Sequence, residues 1–278
     1  MSKEFPITVS SWTLGDQCKF EDRVKASKEG GYEGIGLRAE TYVDALNEGL
    51  TDQDILDILA KYDIKVTEVE YIVQWAEEHR SYEQKYKEQM CFHMCDLFDV
   101  NHINCGLMED YSVEHTAKKL AELCQRAGDR IIGVEPMPYS GIPDFEKALA
   151  VVKTSGADNA KIILDTWHWV RADQAYRELT PEEADLIISI QVNDAYDRPY
   201  AKSILRDESM HDRLAPGTGV KDTAGFVKMI KDAGIKPKVI GVEVISDEIL
   251  GRGLAEAAKY TFETTQKVLS ENWPEAAK

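Results

Sequence analysis

The chain has 278 residues, 43 % of them hydrophobic and 9 % aromatic, which is typical of a globular protein with a sizeable core. Its formal net charge of −17 repels a polyphosphate backbone, so we expect no nucleic-acid partner. No stretch approaches the roughly 18 consecutive apolar residues of a membrane helix. The first residues, MSKEFPITVS, lack the apolar core of a secretion signal. We therefore expect a cytoplasmic protein with no membrane partner.

Short apolar runs alternate with longer amphipathic stretches along the whole chain, which predicts strands alternating with helices. The predicted strands cover 5–10, 34–38, 65–72, 101–106, 131–136, 161–165, 186–194 and 239–245. The predicted helices include 52–62, 81–98, 113–127, 144–154, 223–233 and 254–269. Thr51 and Ser112 are the residue types that cap helix starts, and Gly128, Gly156 and Gly234 those that follow helix ends.

Strands that alternate with helices pair in parallel through right-handed crossovers. Eight such units in about 250 residues match a closed (β/α)₈ TIM barrel, which we predict as a single domain over 1–278. An open, doubly wound sheet is the alternative, although it does not require eight units. The connection after the seventh strand is long, covering 195–220, and long loops of a barrel usually belong to the active-site face.

Oxygen-bearing side chains stand at the ends of four consecutive predicted strands, where the reactive residues of a barrel lie. They are Glu135, Asp165, Gln191 and Glu243. Three carboxylates gathered at one end of a barrel would repel one another, and a divalent metal would remove that cost. Oxygen ligands suit Mn²⁺ or Mg²⁺. The alternative is that each carboxylate caps a helix or pairs with a lysine.

Four short motifs in a fixed order resemble the sugar phosphate isomerase/epimerase superfamily, the xylose-isomerase-like TIM barrels. They are EP at 135–136, LDTWH at 164–168, PGTG at 216–219 and VEV at 242–244. The resemblance implies metal ligands at Glu135, Asp165 and Glu243. The fourth ligand of the family is a histidine, and this chain has Gln191 at that position. The implied cofactor is Mn²⁺, or else Mg²⁺ or Co²⁺.

The resemblance also implies proton abstraction beside the carbonyl of a keto-sugar. Glu135 and Glu243 would carry protons on the two sides of the sugar, and His168 would contact a substrate oxygen. His211 and Arg213 lie in the long seventh loop, which in the family closes over the sugar. The alternative for His168 is a buried ring that is hydrogen-bonded to backbone. The alternative for His211 and Arg213 is a solvent-facing charge pair with Asp212.

Further candidates for binding a small sugar or glycoside follow the first three strands. Trp12 and Trp75 could stack on a sugar ring, or could instead hold a loop at the rim. Glu68 and Glu70 lie one pleat apart on the third strand, so they should face the same side, and Glu70 could bind a sugar hydroxyl. Arg38 is a plausible polar wall residue after the second strand.

Isomerisation, epimerisation and elimination share the same first proton transfer, so three related activities remain open. The isomerase or epimerase is the first hypothesis. The second is a lyase that cleaves a 3-keto-glycoside, like C-glycoside deglycosidase catalytic subunits, which work with a β-sheet partner chain. A keto-inositol dehydratase is the third. A homo-oligomer is a further alternative for the assembly. The segment Gly251-Arg252-Gly253 follows the eighth strand, where barrels often bind phosphate.

Other functional classes fit less well. A DNA-repair nuclease of the same superfold would need more histidine ligands and a basic face. Of the six histidines in this chain, only His168 falls at one of the four strand ends named above, and the chain is acidic. A non-catalytic binding module is another alternative, and the absence of bound metal after purification would favour it.

Overall fold

Eight parallel strands close into one barrel in chain order, each paired with its neighbours and β1 with β8, which confirms the predicted (β/α)₈ fold. The computed structural model describes residues 5–175, 177–219 and 223–277. The strands are β1 Ile7–Ser10, β2 Gly34–Arg38, β3 Lys65–Ile72, β4 His102–Cys105, β5 Ile131–Val134, β6 Ala160–Asp165, β7 Ile187–Val192 and β8 Ile240–Val242.

Helices surround the barrel and also contribute short segments at its rim. They are α1 Phe20–Gly30, α2 Ala39–Asn47, α3 Asp52–Tyr62, α4 Tyr82–Phe98, α5 Val113–Ala127, α6 Phe145–Ser155, α7 Thr166–Arg171, α8 Pro181–Ala184, α9 Leu205–His211, α10 Thr223–Asp232, α11 Asp247–Leu250, α12 Leu254–Asn272 and α13 Pro274–Ala277. No helix within the described ranges is long and apolar enough to cross a lipid bilayer.

The capping residues act as the sequence indicated. The Thr51 hydroxyl accepts the Asp54 backbone N–H at 3.2 Å, and the Ser112 hydroxyl accepts that of His115 at 3.2 Å, so each satisfies a free donor at a helix start. Gly156 follows α6 with a φ of 63°, a left-handed conformation that glycine adopts without a steric penalty. These local signals account for the close agreement of α3 and α5 with their predicted bounds.

Several predicted strands end earlier than the apolar runs that suggested them, and two of these bear on the site. The run 131–136 forms a strand only to Val134, and the run 239–245 only to Val242. Glu135 and Glu243 therefore lie just beyond the hydrogen-bonded barrel, where their backbones turn into the loops of the mouth. This placement frees both carboxylates to approach the barrel axis.

The connection after β7, predicted as a single long loop, contains a 3₁₀ turn at Lys202–Ile204 and helix α9. Leu205 is buried with Trp167 and Ala195 in a small apolar cluster, which fastens the start of α9 to the mouth. The PGTG turn follows this segment, and Val220, the last residue of the predicted loop, lies outside the described residues. The long connection thus forms a roof that carries side chains over the mouth.

Candidate active site

Three buried carboxylates from neighbouring parts of the barrel meet at its C-terminal mouth. Glu135 follows β5, Asp165 ends β6 and Glu243 follows β8. One oxygen of each lies within 4.8 Å of the others, and all three side chains are buried. The convergence expected from the strand ends is therefore present, and we call these three residues the acidic triad.

One arginine from the roof reaches into the acidic triad. Arg213 Nη1 lies 3.1 Å from Asp165 Oδ2 and 3.0 Å from Glu243 Oε2. Its Nε donates to the backbone oxygen of Ser209 at 2.8 Å, and its Nη2 to the Ser209 hydroxyl at 2.8 Å. Because one guanidinium carries one positive charge, it balances only one of three ionised carboxylates. Arg213, a predicted site residue, is thus central to the site.

The start of α7 sets His168 beside the acidic triad. Asp165 caps this helix, since its Oδ1 accepts the His168 backbone N–H at 2.9 Å. The His168 ring Nε2 then lies 3.4 Å from Glu135 Oε1 and at the same distance from Arg213 Nη2. His168 Nδ1 is buried without a hydrogen-bond partner among the described residues. The contact of His168 with a substrate oxygen stays a prediction.

The environments of Glu135 and Glu243 push their pKa values apart. Burial alone would raise the pKa of Glu135, but the adjacent His168 ring and Tyr71 hydroxyl outweigh it and lower that pKa. Burial raises the pKa of Glu243 to about 8, and the nearby Glu135 adds to the effect while Arg213 opposes it. Two carboxyl groups that differ in this way can act as proton acceptor and proton donor.

The donor atoms of the site fit a divalent cation. Gln191 Oε1 is buried without a hydrogen-bond partner in the described structure, so this oxygen is still open to a ligand. Glu135 Oε1 lies 3.4 Å from the His168 ring nitrogen. The Gln191 amide nitrogen is already used, donating to Glu70 Oε1 at 3.1 Å. Three converging carboxylates form a hard donor set of the kind that suits a divalent cation.

A second acidic group lies inside the barrel rather than on the wall of the mouth. Glu68 and Glu70 face the same side, as predicted, and both accept hydrogen bonds from the Asn104 amide. The Gln191 amide donates to both as well, and we call these four residues the interior network. Glu70 is fully buried and does not line the mouth cavity, which corrects its prediction as a ligand for a sugar hydroxyl.

A cavity of about 420 Å³ opens above the acidic triad and is large enough for a sugar. Its wall includes Trp12, as predicted for that side chain, together with Arg38 and Tyr71. Arg206 and Met210 from α9 contribute to the same cavity. The roof and the first three strands therefore enclose the space in which a substrate would meet the carboxylates.

Two predicted substrate-binding residues lie away from this cavity. Trp75 is buried, and its indole N–H donates to the Gly106 carbonyl at 2.9 Å, so it holds the loop after β3 instead of facing a sugar. His211 points to solvent at the end of α9 and lies 3.3 Å from Asp247. Both expectations are corrected, because nearness to a strand end in sequence does not decide which way a loop side chain turns.

Several residues of the site were missed by the sequence analysis. Asn193 donates to Asp165 Oδ2 at 2.5 Å and to the Glu243 backbone oxygen at 3.1 Å, bridging two members of the triad. Its position two residues after Gln191 on the same strand face was a usable signal. Tyr71, Tyr139 and Glu109 also line the cavity, and no spacing pattern marked them.

The fold and the site define a (β/α)₈ barrel with a buried acidic triad at its C-terminal mouth, the face where barrel enzymes place their active sites. A family model described as a xylose isomerase-like TIM barrel matches residues 24–267. The chain belongs to this family, which confirms the resemblance drawn from its motifs.

Curated relatives match only part of the chain. An inosose isomerase of Bacillus licheniformis is 28 % identical over 133 residues, which cover 48 % of this chain and 46 % of that protein. A 3-dehydroshikimate dehydratase of Pseudomonas aeruginosa is 28 % identical over 134 residues, or 47 % of this chain and 20 % of that protein. The chain therefore matches less than half the length of these relatives.

Solved structures resemble the whole chain. One described as the IOLI protein with a binding zinc atom has a TM-score of 0.79 at 18 % identity, covering 96 % of this chain and 99 % of that one. At such low identity the likeness shows the fold. The curated relatives named above are enzymes, an isomerase and a dehydratase.

Proposed function

We propose that this protein is a divalent-metal-dependent isomerase or epimerase that removes a proton beside the carbonyl of a keto-sugar. The observation that carries the proposal is the acidic triad, with three carboxylate oxygens within 4.8 Å of one another at the base of a sugar-sized cavity. The partial similarity to inosose isomerases supports a cyclic or open keto-sugar as the substrate class.

Glu135, Asp165 and Glu243 would hold the metal, with the free Gln191 oxygen as the fourth protein donor. When bound, Mn²⁺, Mg²⁺, Co²⁺ or Zn²⁺ would supply Lewis-acid stabilisation of negative charge developing on the substrate oxygen. Zn²⁺ is included because a structural neighbour is described with a zinc atom.

The protein's own groups supply the proton transfers. Glu135, whose pKa is lowered by His168 and Tyr71, accepts the proton from the carbon beside the carbonyl. Glu243 would return a proton to the substrate. Arg213 stays bound to Asp165 and Glu243 and so holds these two carboxylates in place. His168 holds Glu135 in the same way.

A dehydratase is the second candidate, and the similarity to a 3-dehydroshikimate dehydratase favours it. Elimination needs the same proton acceptor, Glu135, and a proton donor for the departing hydroxyl, a role that Glu243 would fill. The lyase that cleaves 3-keto-glycosides would use the same two groups, and an assembly with a β-sheet partner subunit belongs to that alternative.

Solvent deuterium and product mass test the proposal together. The metal-loaded protein is incubated in D₂O with inososes, ketohexoses, 3-keto-glycosides and 3-dehydroshikimate, and the products are examined by NMR and mass spectrometry. Deuterium in a product of unchanged carbon skeleton and formula supports the isomerase or epimerase. Loss of water supports the dehydratase, and release of an aglycone supports the lyase.

Matched variants assign the result to the site. Glu135→Gln should abolish deuterium entry, whereas Glu248→Gln, which changes an exposed carboxylate on α11, should retain it. Deuterium entry into none of the ketones, or equal entry with Glu135→Gln, would contradict proton transfer at the acidic triad.

A further inference from the structure

The wall of the mouth cavity carries an arginine that the proposed proton transfer does not use. Arg38 is the last residue of β2, and its guanidinium carbon lies 3.9 Å from the centroid of the Trp12 ring. The centroid of the Tyr71 ring is 4.9 Å from the same carbon. Two aromatic faces therefore hold the guanidinium at a defined place on the cavity wall, with only 9 % of the residue exposed.

The charge of Arg38 is only weakly compensated by the protein. Its Nε is buried without a hydrogen-bond partner in the described part of the chain, and Glu40 Oε2 is 3.9 Å away, too far for a hydrogen bond. The other carboxylate oxygen of Glu40 accepts from Lys87, so that acid is shared with a second cation. A buried arginine with so little pairing is unusual, because burial of a charge costs free energy unless a partner compensates it.

The other charged groups of the cavity restrict where an anion could lie. Glu135 and Glu243 form its base, and Glu109 lines its wall, so an anionic group is repelled from those parts. Arg213 is already bound to two carboxylates. Arg206, exposed on α9, lines the same cavity as Arg38 and adds a second cation from the roof.

We propose that the substrate carries an anionic group, a carboxylate or a phosphate, that is bound by Arg38 against the Trp12 ring while the carbonyl end of the molecule faces the acidic triad. This proposal rests on the proposed function for the identity of the cavity. It narrows the substrate class from keto-sugars in general to acidic ones. The guanidinium fork matches both carboxylate and phosphate oxygens, so the two sources share one chemistry.

The other candidate for an anion site is already paired. Arg252, in the Gly251-Arg252-Gly253 segment that suggested phosphate binding, donates to Glu248 at 2.8 Å and lies 4.3 Å from the centroid of the Tyr260 ring. It does not line the mouth cavity. Arg252 therefore provides a matched control, because its replacement removes the same charge from a paired arginine elsewhere on the protein.

The test is direct binding measured by calorimetry on the metal-loaded protein, with three probes. Fructose 6-phosphate carries a phosphate, 3-dehydroshikimate carries a carboxylate, and fructose is neutral. We expect at least one anionic probe to bind about 10-fold or more tightly than fructose. Arg38→Met should weaken that binding about 10- to 100-fold, because it removes charge-assisted hydrogen bonds, and leave fructose unchanged. Arg252→Gln should change neither.

The two anionic probes distinguish the sources, since preference for one of them assigns a phosphate or a carboxylate. Arg38→Lys, which keeps the charge without the planar fork, should give an intermediate loss and guards against a folding defect in Arg38→Met, as does thermal unfolding of each variant. Anionic probes that bind no better than fructose would overturn the proposal. So would anion binding that survives Arg38→Met.

Binding and deuterium entry are measured separately, so the two proposals fail separately. Failure of the proposed function appears as absence of deuterium entry, with anion binding at Arg38 intact. Failure of this inference appears as deuterium entry into neutral keto-sugars with no binding preference for the anionic probes.

Discussion

The barrel holds two groups of buried carboxylates that differ in their partners. The acidic triad at the mouth is contacted by a cation, Arg213, and by the His168 ring. The interior network instead surrounds Glu68 and Glu70 with the neutral amides of Asn104 and Gln191. Burial and the neighbouring Glu70 raise the pKa of Glu68 well above its usual range, which favours the protonated form of its carboxyl group.

The difference shows how one barrel accommodates several buried acids. A carboxyl group that keeps its proton needs only hydrogen-bond partners, which amides supply. A group that must ionise for chemistry needs a cation nearby. Gln191 joins the two regions, because its nitrogen donates to the interior network and its oxygen is left open. This comparison predicts that replacing a glutamate by glutamine lowers the rate strongly in the acidic triad and only slightly in the interior network.

The largest contrast is expected between Glu135→Gln and Glu68→Gln. Loss of the proton acceptor should lower the rate of deuterium entry about 10²- to 10⁴-fold. Glu68→Gln replaces a carboxyl group whose raised pKa favours the neutral form by a neutral amide of similar shape. We therefore expect a rate within about 3-fold of the natural protein and an unfolding free energy within about 1 kcal/mol. The measurements are exchange rates by NMR and urea unfolding. Equal loss of rate in both variants would remove the distinction between the two regions.

Removal of Arg213 should expose the repulsion within the acidic triad. In metal-free protein we expect Arg213→Met to lower the free energy of unfolding by about 3 to 5 kcal/mol, because it leaves buried carboxylates unpaired. Saturating Mn²⁺ or Zn²⁺ should recover part of this loss. Arg252→Met, a surface change, should cost about 0.5 kcal/mol or less. If the metal stabilises Arg213→Met no more than it stabilises the natural protein, Arg213 and the metal do not interact with the same carboxylates.

Metal binding itself should stabilise the natural protein. At a metal concentration 100 times the dissociation constant, linkage predicts about 2.7 kcal/mol of added stability. Asp165→Asn should lose most of this gain, since it removes one of the three converging carboxylates, while Glu68→Gln should keep it. Thermal unfolding with and without EDTA gives the comparison. A gain retained by Asp165→Asn would place the metal elsewhere.

An ion pair outside the barrel gives the smallest expected effect and a third kind of environment. Arg177 Nη2 lies 2.7 Å from Glu183 Oε1, and this contact, with help from the Thr180 backbone N–H, lowers the pKa of Glu183 from 4.5 to about 2. A lowered pKa means that the pair stabilises the fold above about pH 4.5 and that this contribution is lost as the pH falls toward 2.

The difference in unfolding free energy between the natural protein and Glu183→Gln should therefore be about 1 to 2 kcal/mol at pH 6 and should shrink as the pH approaches 2. Arg177→Gln should give the same trend. A difference that does not depend on pH would show that Glu183 acts through the α8 cap and not through its charge.

Much of the site could be predicted because the carboxyl ends of parallel strands meet at one rim. Glu135, Asp165 and Glu243 each follow an apolar run, so their convergence required only the closed barrel. The role of Gln191 could not be predicted in the same way. Its amide is oriented by Glu68 and Glu70 from β3, and sequence spacing does not reveal which side chains face one another across a barrel.

The roof shows a second limit. Helix α9 has seven residues within a polar segment, too few for a helical period to be recognised. The orientation of Trp75 could not be predicted for a related reason, since its hydrogen bond to the Gly106 carbonyl depends on how two loops meet. Loop contacts of this kind are tertiary, and local sequence carries little information about them.

The double hydrogen bond from Arg213 to Ser209 has a mechanical consequence. The same side chain that grips Asp165 and Glu243 is fastened to the last turn of α9, and the Ser209 hydroxyl also meets that of Tyr139 at 3.0 Å. Any rearrangement that draws the guanidinium away from those acids must also pull on the helix above. The acidic triad is thus mechanically coupled to α9, so binding at the triad can be detected as a change in the mobility of that helix.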